Sequence, residues 1–401
     1  MSHIIVIGAG QAGSSLTAKL RNLGFDGQVT LIGEESTPPY QRPPLSKAYL
    51  LGDMARERLF LRPKSFYADQ KIELHLGQKV EVVDTAARTV TVGGEVLEYD
   101  QLALTTGSQP RLLPASIGGD LDGIYTVRGL PDVDAMAPEF VEGRHVLIIG
   151  GGYIGLEAAA VAAKSGLKVT LVEMADRILQ RVASTETSDF FRALHSEHGV
   201  DIREDCGLKR LIGDGRVTAA ELSDGSTLDV DFVIAGVGIT PATGLAEMAG
   251  LTIENGIQTD DLGRTSNPEI WAAGDCASFP RAGGRIRLES VPNAIDQAEL
   301  VAANMMGAEK PYVPQIWFWS DQYDVKLQIA GLNTGFDQVV VRDGGAARSH
   351  WYYRAGQLIA VDAMNDPRGY MVGKRLIDAG KNADPAVVAD ASADLKPLLK
   401  A

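Results

Sequence analysis

Cysteine is scarce in this chain. Among its 401 residues only Cys206 and Cys276 are cysteine, and they form no Cys-x-x-Cys pair. Two thiols exclude a disulfide framework, a zinc site built from cysteine alone and an iron–sulfur cluster, which takes four ligands. This usage of cysteine predicts a cytoplasmic protein.

An excess of basic residues and an uninterrupted apolar run are also missing. The chain has 38 basic and 52 acidic residues and a net charge of −14, which argues against a general binder of nucleic acid or anionic membranes. The longest apolar stretch, residues 145–166, contains three consecutive glycines and Glu157. A strand, a turn and a helix are therefore expected there rather than a membrane span. No signal peptide is expected before the first strand.

Glycine, in contrast, is abundant, and part of it lies in two similar phrases. The chain has 44 glycines among its 401 residues, about 11%, which is above the average of roughly 7%. Each phrase predicts a strand, a glycine turn, a helix, a second strand and then an acidic residue. The first runs through strand 3–7, G-A-G-Q-A-G at 8–13, a helix to 23 and strand 28–32. The second runs through strand 145–149, G-G-G-Y-I-G at 150–155, a helix to 165 and strand 168–172.

The pattern G-x-G-x-x-G between a strand and a helix is typical of a dinucleotide site. The first glycine permits the tight turn, the second lets the backbone approach a pyrophosphate, and the third allows close helix–strand packing. The helix N-terminus favours the negative charge, and the later acid can accept hydrogen bonds from a ribose. Two such phrases predict two dinucleotide sites in two Rossmann-like domains of an α/β protein.

The order of the segments predicts that the second dinucleotide domain interrupts the first. A segment that resembles the end of the first domain, T-S-N-P-E-I-W-A-A-G-D, comes only at 265–275. We expect a discontinuous first domain at 1–112 and 245–314, a second at 113–244, and a C-terminal α+β domain at 315–401. In the last, strands are expected near 324–329, 338–342, 349–354 and 357–364, a helix at 370–379, and a helical or loose tail from 381.

These motifs carry a family resemblance. The chain resembles the glutathione-reductase-like flavoproteins with two dinucleotide sites, and among them the NADH-dependent ferredoxin reductases of the putidaredoxin and rubredoxin type. The resemblance covers nearly all of residues 3–380. Besides the glycine phrases, it rests on Y-Q-R-P-P-L-S-K at 40–47, T-T-G-S-Q-P-R at 105–111, A-G-D at 273–275, V-P-N-A at 291–294 and W-F-W-S-D-Q at 317–322.

The resemblance implies that the first domain binds FAD. Glu34 is the expected ribose ligand, with Glu35 as a competitor, because aligning the two phrases places Gly33 opposite Glu173. Asp275 matches an aspartate that contacts the ribityl or pyrophosphate part of FAD, or else it caps a helix. The other residues expected to bind FAD are Gly8, Gly10, Ala12, Gly13, Arg42, Lys47, Val80, Thr106, Gly107, Arg128, Val291 and Trp319.

Lys47 and Glu157 are expected to pair near the flavin. Opposite charges brought together in a dry site keep each other ionised, and a cation near the flavin N5 edge would favour hydride transfer. These two residues are the catalytic candidates. A salt bridge of structural value alone is the alternative, and both roles can hold together.

The resemblance assigns NADH to the second domain. A carboxylate at Glu173 accepts from the ribose 2′-hydroxyl and repels a 2′-phosphate, which favours NADH over NADPH, although Arg177 nearby could accept the phosphate. The remaining residues expected at this site are Gly150, Gly152, Tyr153, Ile154, Gly155, Gly238 and Glu289.

The expected activity is therefore an oxidoreductase that passes electrons from NADH through FAD, one at a time, to a [2Fe-2S] ferredoxin. That ferredoxin would serve a cytochrome P450 or a ring-hydroxylating oxygenase. Disulfide reductases of the superfamily need cysteines beside the flavin, and residues 1–205 contain none; Cys276 is expected to pack at a helix start. The alternatives are a rubredoxin reductase, an NADH oxidase or small-acceptor reductase, and a flavin-based redox sensor. A monomer is expected.

Overall fold

The computed structural model describes residues 2–400. Its strands, numbered in chain order, are β1 His3–Ile7, β2 Gln28–Gly33, β3 Ile72–Leu76, β4 Val80–Asp84, β5 Thr89–Val92, β6 Glu95–Glu98, β7 Gln101–Leu104, β8 Ser108–Pro110, β9 Ile124–Tyr125, β10 His145–Ile149, β11 Lys168–Val172, β12 Asp201–Arg203, β13 Leu208–Asp214, β14 Arg216–Leu222, β15 Thr227–Asp229, β16 Phe232–Ala235, β17 Ile239–Pro241, β18 Ile257–Gln258, β19 Ile270–Ala272, β20 Ala277–Arg281, β21 Gly284–Ile286, β22 Trp317–Gln322, β23 Val325–Gly331, β24 Gln338–Asp343, β25 Arg348–Arg354 and β26 Gln357–Met364.

The α-helices follow the same numbering. They are α1 Gln11–Asn22, α2 Lys64–Asp69, α3 Leu130–Met136, α4 Tyr153–Lys164, α5 Thr185–Glu197, α6 Gly244–Met248, α7 Val291–Met305, α8 Pro367–Asp378 and α9 Pro385–Ala389. Short 3₁₀ turns occur at Pro43–Ser46, Arg56–Leu59, Ala115–Ile117, Ala137–Glu139 and Lys396–Leu399.

These elements form two compact units. Unit 1 comprises residues 2–42, 55–109 and 239–315, and unit 2 comprises residues 43–54, 110–238 and 316–400. The division into an FAD-binding part, an NADH-binding part and a C-terminal domain stays a proposal. The expected fold class is confirmed: this is an α/β chain with two Rossmann-like sheets and a separate C-terminal sheet.

The main sheet of unit 1 is parallel, with strand order β19-β7-β1-β2-β3. Side chains alternate along a strand, so Ile4 and Val6 pack into a core with α1 and α7. Ile5 and Ile7 pack into a second core on the other face. A strand buried on both faces reads as a continuous apolar run, which is why β1 can be predicted from sequence. Unit 1 also contains two smaller three-stranded sheets, β4-β5-β6 and β18-β20-β21.

Unit 2 contains a second parallel sheet of the same design, with strand order β12-β11-β10-β16-β9. The duplication extends to the hydrogen bonds at the start of each sheet. In each copy a histidine bonds a threonine hydroxyl on the next strand, at 2.9 and 3.0 Å, and its main-chain N–H donates to an aspartate at 2.7 Å. The two sets are His3, Thr30 and Asp100, and His145, Thr170 and Asp231.

The C-terminal part of unit 2 is an antiparallel sheet with strand order β22-β23-β26-β25-β24, covered by α8. Trp351 and Leu376 are fully buried between the sheet and that helix. The four strands expected here are present within two residues of their expected bounds. The expected helix at 370–379 begins earlier, at Pro367, because Asp366 accepts a hydrogen bond from the Gly369 N–H at 2.8 Å and caps it.

The tail from residue 381 is packed rather than loose. Val388 and Leu395 are buried in the same core as the C-terminal sheet. Arg342 of β24 donates to main-chain carbonyls of the tail, among them those of Asp390 and Ala393 at 2.5 and 2.8 Å. The composition of the tail, rich in alanine, aspartate and lysine, does not reveal these contacts.

Candidate functional site

The first glycine turn joins β1 to α1 and leaves no room for side chains at two positions. Gly8 has φ +111°, and a Cβ there would lie 2.2 Å from the Thr105 carbonyl oxygen. A Cβ at Gly13 would lie 2.1 Å from the Gly8 carbonyl oxygen. Thr105 supports the turn, since its hydroxyl donates to the Gly8 carbonyl at 2.9 Å. The first and third glycines of the motif are thus required by the fold itself.

The middle glycine of this turn has a different environment. A Cβ built on Gly10 would meet no heavy atom within 4 Å. Gly10 is the N-cap of α1, and no side chain caps that helix. The first N–H groups of a helix lack partners within the helix and favour an anion at that end. The turn therefore fits a dinucleotide pyrophosphate, which needs close approach to the backbone at this position.

The second turn, between β10 and α4, repeats this geometry in unit 2. Gly150 has φ +104°, and its Cβ would lie 2.4 Å from the Gly236 carbonyl oxygen. A Cβ at Gly155 would lie 2.0 Å from the Gly150 carbonyl oxygen, while one at Gly152 would meet nothing within 4 Å. Again no side chain caps the helix. Each unit thus contains its own dinucleotide cradle.

The acid after the second cradle is held in place by main-chain donors. Glu173 follows β11, and its carboxylate accepts from the N–H groups of Gly151 at 2.7 Å and Ala175 at 2.9 Å. Gly33 occupies the matching position of unit 1. The Gly8 N–H donates to the carbonyl of Ile32, the residue before Gly33, just as the Gly150 N–H donates to the carbonyl of Val172, the residue before Glu173. A Cβ at Gly33 would lie 2.6 Å from that of Ala9, so the first copy has no carboxylate at this point.

The contacts of the two adjacent glutamates of unit 1 differ. Glu35 is bonded to Arg42 at 2.7 Å and accepts from the Tyr40 hydroxyl. The side chain of Glu34 is 67% exposed and lies 3.7 Å from Lys79. Because the Glu35 carboxylate is already committed, Glu34 is the better proposal for the FAD ribose. Arg42, also expected to bind FAD, lies beside Glu35 and over the Tyr40 ring.

Several of the other residues expected to bind FAD within unit 1 follow the carboxyl ends of strands of its parallel sheet. Thr106 follows β7 and donates to the Ala242 carbonyl at 2.7 Å, and Asp275 accepts from the Ser108 hydroxyl at 2.9 Å. Ala12 lies in the first turn of α1, Gly107 has φ +69°, Val80 opens β4 and Val291 opens α7. Their roles toward FAD stay proposals.

The alternative of a helix start at Asp275 and Cys276 is wrong. Both lie between β19 and β20, and the next helix begins only at Val291. Cys276 is fully buried, with its thiol near the carbonyls of Ala273 and Leu104 at 3.4 and 3.5 Å. Burial raises the pKa of the Cys276 thiol, which disfavours the reactive thiolate.

Lys47 and Glu157 meet within unit 2. The Lys47 Nζ lies 2.9 Å from Glu157 Oε1, and the Glu157 side chain is only 3% exposed. Two hydroxyls also donate to this carboxylate, that of Ser46 to Oε2 and that of Ser320 to Oε1, each at 2.7 Å. The buried carboxylate thus accepts from one cation and two hydroxyl groups, and hydrogen bonds of this charge-assisted kind are the stronger ones. The expected pairing of Lys47 with Glu157 is therefore present in the structure.

The remaining expected residues are distributed over both units. In unit 2, Trp319 of β22 stacks on Trp317 with ring centroids 5.6 Å apart, and the Arg128 N–H donates to Asp132 at 3.1 Å. Ile154 is 45% exposed on the first turn of α4, and Gly238 has φ +98°. In unit 1, Glu289 is paired with Arg287.

Tyr153, the other expected NADH residue on α4, lies against a buried polar cluster. Its hydroxyl is buried and has no hydrogen-bond partner among residues 2–400. Asp362 is fully buried nearby and accepts from the hydroxyls of Thr187, at 2.9 Å, and Tyr352. No cation is bonded to Asp362 among the contacts of the described chain, and burial raises the pKa of Asp362 to about 6.

We expect Asp362→Asn to become more stable relative to the parent protein as pH rises. A carboxyl group whose folded-state pKa is raised from 3.8 to about 6 contributes its stability at low pH and loses it as pH rises through about 6. Between pH 4.5 and 7.5 the difference in free energy of unfolding should shift by about 2 kcal/mol in favour of the variant. Paired urea titrations at the two pH values measure it, and a constant difference would contradict the assignment.

Arg177, which could have favoured NADPH, has its guanidinium occupied inside the chain. It donates to the carbonyls of Ala183 at 2.9 Å and Ser184 at 3.2 Å, and to the Ser188 hydroxyl at 2.5 Å. An arginine held by several backbone carbonyls is poorly placed to bind a free phosphate as a fork. The case for NADH that rests on Glu173 is strengthened.

Several polar residues around the Lys47–Glu157 pair were not anticipated. Ser46 and Ser320 lie inside motifs that the sequence reveals, so their hydroxyl groups could have been considered as donors. Gln322, which extends the network behind Ser320, ends the same W-F-W-S-D-Q motif, whereas His195, the next residue of the network, belongs to no motif. In the described chain, no helix is long and apolar enough to cross a membrane. Residues 2–400 also contain no group of three His, Cys, Asp or Glu side chains arranged to hold a metal ion.

Comparison with known proteins places this geometry in a family. Residues 2–298 match the family described as pyridine nucleotide-disulphide oxidoreductase, and residues 317–399 match the family described as reductase C-terminal. The chain belongs to the pyridine nucleotide-disulphide oxidoreductases, and the expected resemblance is confirmed. FAD and NADH are the cofactors that this membership implies.

Within that family the chain is similar to ferredoxin reductases over its whole length. It is 42% identical to the ferredoxin reductase subunit of 5,5′-dehydrodivanillate O-demethylase from a Sphingobium species, over 99% of this chain and 98% of that protein. It is 41% identical to rhodocoxin reductase of Rhodococcus erythropolis, over 98% and 93%. The covalent putidaredoxin reductase–putidaredoxin complex contains a chain with a TM-score of 0.95 at 36% identity, covering 100% and 98%.

Proposed function

We propose that this chain is an NADH-dependent ferredoxin reductase. It takes electrons from NADH through FAD and delivers them singly to a [2Fe-2S] ferredoxin that serves a cytochrome P450 or a ring-hydroxylating oxygenase. The observation that carries the proposal is the presence of two matched dinucleotide cradles in one chain, each with an open middle glycine. The full-length similarity to ferredoxin reductases supports the choice of acceptor.

Bound FAD would supply the chemistry that side chains lack, which is acceptance of a hydride from NADH and release of single electrons. The chain binds the two nucleotides through the cradles at Gly10 and Gly152. Glu34 and Glu173 are proposed to accept hydrogen bonds from the two riboses. Lys47 supplies a fixed positive charge, and Glu157 orients it. No residue of the chain acts as a nucleophile in this proposal.

The test is an anaerobic titration of the FAD-loaded protein with NADH, followed by absorbance. We expect the yellow flavin band to bleach, and to return when oxidised [2Fe-2S] ferredoxin is added. Return with rubredoxin but not with ferredoxin would favour a rubredoxin reductase. Return only with oxygen or a quinone would favour an oxidase or a small-acceptor reductase. No bleaching in a flavin-loaded sample would favour a redox sensor and overturn the proposal.

The structure also supports a preference for NADH over NADPH. The fixed Glu173 carboxylate favours ribose hydroxyls and repels a 2′-phosphate. We expect Glu173→Gln to reduce the ratio of kcat/KM for NADH over that for NADPH by about tenfold, which corresponds to roughly 1.4 kcal/mol. Steady-state reduction of an artificial acceptor with each nucleotide measures the ratio.

Arg177→Gln is the control for that experiment. Because its guanidinium is bonded to internal carbonyls, its loss should leave the ratio of the two nucleotides unchanged. A fall in kcat/KM for NADPH in Arg177→Gln, with the NADH-to-NADPH ratio unaltered in Glu173→Gln, would contradict the assignment. It would show that the arginine and not the glutamate recognises the 2′-position of the ribose.

Three further properties belong to the proposal. We propose that the chain works as a monomer, in the cytoplasm, and in transient contact with its ferredoxin. Both cysteines are free and buried, which fits a reducing compartment. The net charge of −14 gives no reason to expect nucleic acid as a partner. Analytical ultracentrifugation with and without ferredoxin tests the state of assembly.

A further inference from the structure

A chain of hydrogen bonds leads away from the Lys47–Glu157 pair inside unit 2. Ser320 bonds Glu157, and Gln322 bonds Ser320 through its amide nitrogen at 3.2 Å. His195 bonds the amide oxygen of Gln322 through Nε2 at 2.8 Å, and the Tyr323 hydroxyl lies 3.3 Å from His195 Nδ1.

The inner links of this chain are isolated from solvent. Ser320 and His195 are 0% exposed and Gln322 is 1% exposed, whereas Tyr323 is only half-buried. Tyr323 has φ +55°, a left-handed backbone conformation that residues other than glycine rarely adopt. Its ring stacks on His198 with centroids 3.7 Å apart. The network thus runs through the interior and ends at a constrained residue near the surface.

The carboxylate at one end, paired with Lys47, fixes the direction of every link. A carboxylate accepts only, so the Ser320 hydroxyl must donate to Glu157. Its oxygen is then the acceptor for the Gln322 amide N–H, which leaves the Gln322 oxygen to accept from His195. His195 must therefore carry its proton on Nε2 and accept at Nδ1 from the Tyr323 hydroxyl.

The surroundings keep these donor and acceptor roles constant. Burial lowers the pKa of His195 to about 4, so the ring is neutral near pH 7. Burial also raises the pKa of Tyr323, so its hydroxyl keeps its proton. Aligned hydrogen bonds in a buried network polarise and strengthen one another. Every hydrogen bond of this network has its donor on the side away from Glu157, so its positive end points toward that carboxylate.

We propose that Ser320, Gln322 and His195 are positioning residues that fix the orientation of the Glu157 carboxylate, and through it the position of the Lys47 ammonium group. This inference deepens the proposed function and rests on it for the role of Lys47. The hydroxyl of Ser46 holds the second carboxylate oxygen from the other side. The rotation of Glu157 away from Lys47 is thereby blocked on both oxygens.

The first test reads the protonation of His195 directly, without turnover. Side-chain ¹⁵N NMR of the FAD-loaded protein, labelled at histidine, should show His195 as the neutral Nε2–H tautomer at pH 7. Ser320→Ala removes the acceptor for Gln322, and the His195 resonances should move as the tautomer is released. An Nδ1–H tautomer in the parent protein, or unmoved resonances in Ser320→Ala, would overturn the inference.

The second test measures flavin reduction by NADH in stopped flow. Because hydrogen bonds to charged groups are the stronger ones, Ser320→Ala and His195→Leu should each lower the limiting rate about tenfold. The apparent Kd for NADH should stay within about twofold, since no nucleotide contact is removed. His195→Gln keeps an N–H at the Nε2 position and should restore most of the rate.

His350→Gln is the matched control. His350 is also a fully buried histidine of unit 2, bonded to the Thr187 hydroxyl at 2.7 Å, but it is not connected to Glu157. Its replacement should leave the limiting rate unchanged. Equal losses of the limiting rate in His350→Gln and His195→Leu, or no rescue in His195→Gln, would show that the hydrogen-bonded residues contribute only packing. That result would overturn the inference. A parent protein that NADH does not reduce would refute the proposed function, while the NMR test would still decide the hydrogen-bond chain.

Discussion

A methyl group at Gly10 is expected to abolish the retention of FAD while the protein still folds. The Cβ of Gly10→Ala meets no atom of the protein within 4 Å, so the substitution creates no internal clash. The same methyl group occupies the space through which a pyrophosphate must approach the backbone at the start of α1. We expect FAD affinity to fall by at least about 100-fold, because backbone contacts to the phosphates are displaced rather than weakened.

The measurement is the flavin absorbance that remains after gel filtration, together with the unfolding transition of FAD-free protein. Gly244→Ala is the control, since Gly244 also begins a helix, α6, with nothing within 4 Å of its Cβ. Gly152→Ala should retain FAD but lose reduction by NADH. If Gly10→Ala retained FAD and Gly152→Ala lost it, the assignment of the two cradles would be reversed.

Much of the fold could be predicted because it is duplicated. The strands β1 and β10 lie at the residues expected for them, and so does β11, since strands buried on both faces leave continuous apolar runs. The glycines at the first and third motif positions are explained by carbonyl oxygens about 2 Å from the missing Cβ atoms. Backbone requirements of this kind can be predicted from residue type and spacing.

The hydrogen-bond partners of the site could not be predicted in the same way. Glu34 and Glu35 are adjacent acids, and only the structure shows that Glu35 is engaged by Arg42 and Tyr40. The position of Asp275 before a strand depends on the pairing of β18 with β20, which joins segments far from any motif. His195 reaches Gln322 across 127 residues of sequence. Such contacts depend on tertiary packing, which the local sequence pattern does not predict.

The largest effect on the rate of flavin reduction is expected from Lys47→Met. The variant keeps the length of the side chain and removes its charge. If the ammonium group of Lys47 favours electron density on the flavin, the limiting rate should fall by about 10²–10³-fold, the range seen when one preorganised electrostatic contact is removed. FAD content must be measured in the same samples, because Lys47 is also a candidate for binding the cofactor.

The single variant alone would not separate catalysis from stability. It leaves the Glu157 carboxylate, 3% exposed, without its cation, and breaking a buried pair costs about 3–5 kcal/mol. The double variant Lys47→Met, Glu157→Gln removes both charges, while the amide oxygen still accepts from Ser46 or Ser320. It should recover most of the free energy of unfolding, since no uncompensated charge stays buried.

If Lys47 acts in the reaction, the free energy of unfolding and the limiting rate respond differently in the double variant. Stability returns in the double variant, and the limiting rate of flavin reduction stays low because the positive charge is still missing. Glu157→Gln alone should give an intermediate rate, since Lys47 keeps its charge but loses its anchor. A double variant that regains both stability and rate would show that the pair only holds the fold, and the catalytic role would have to be given up.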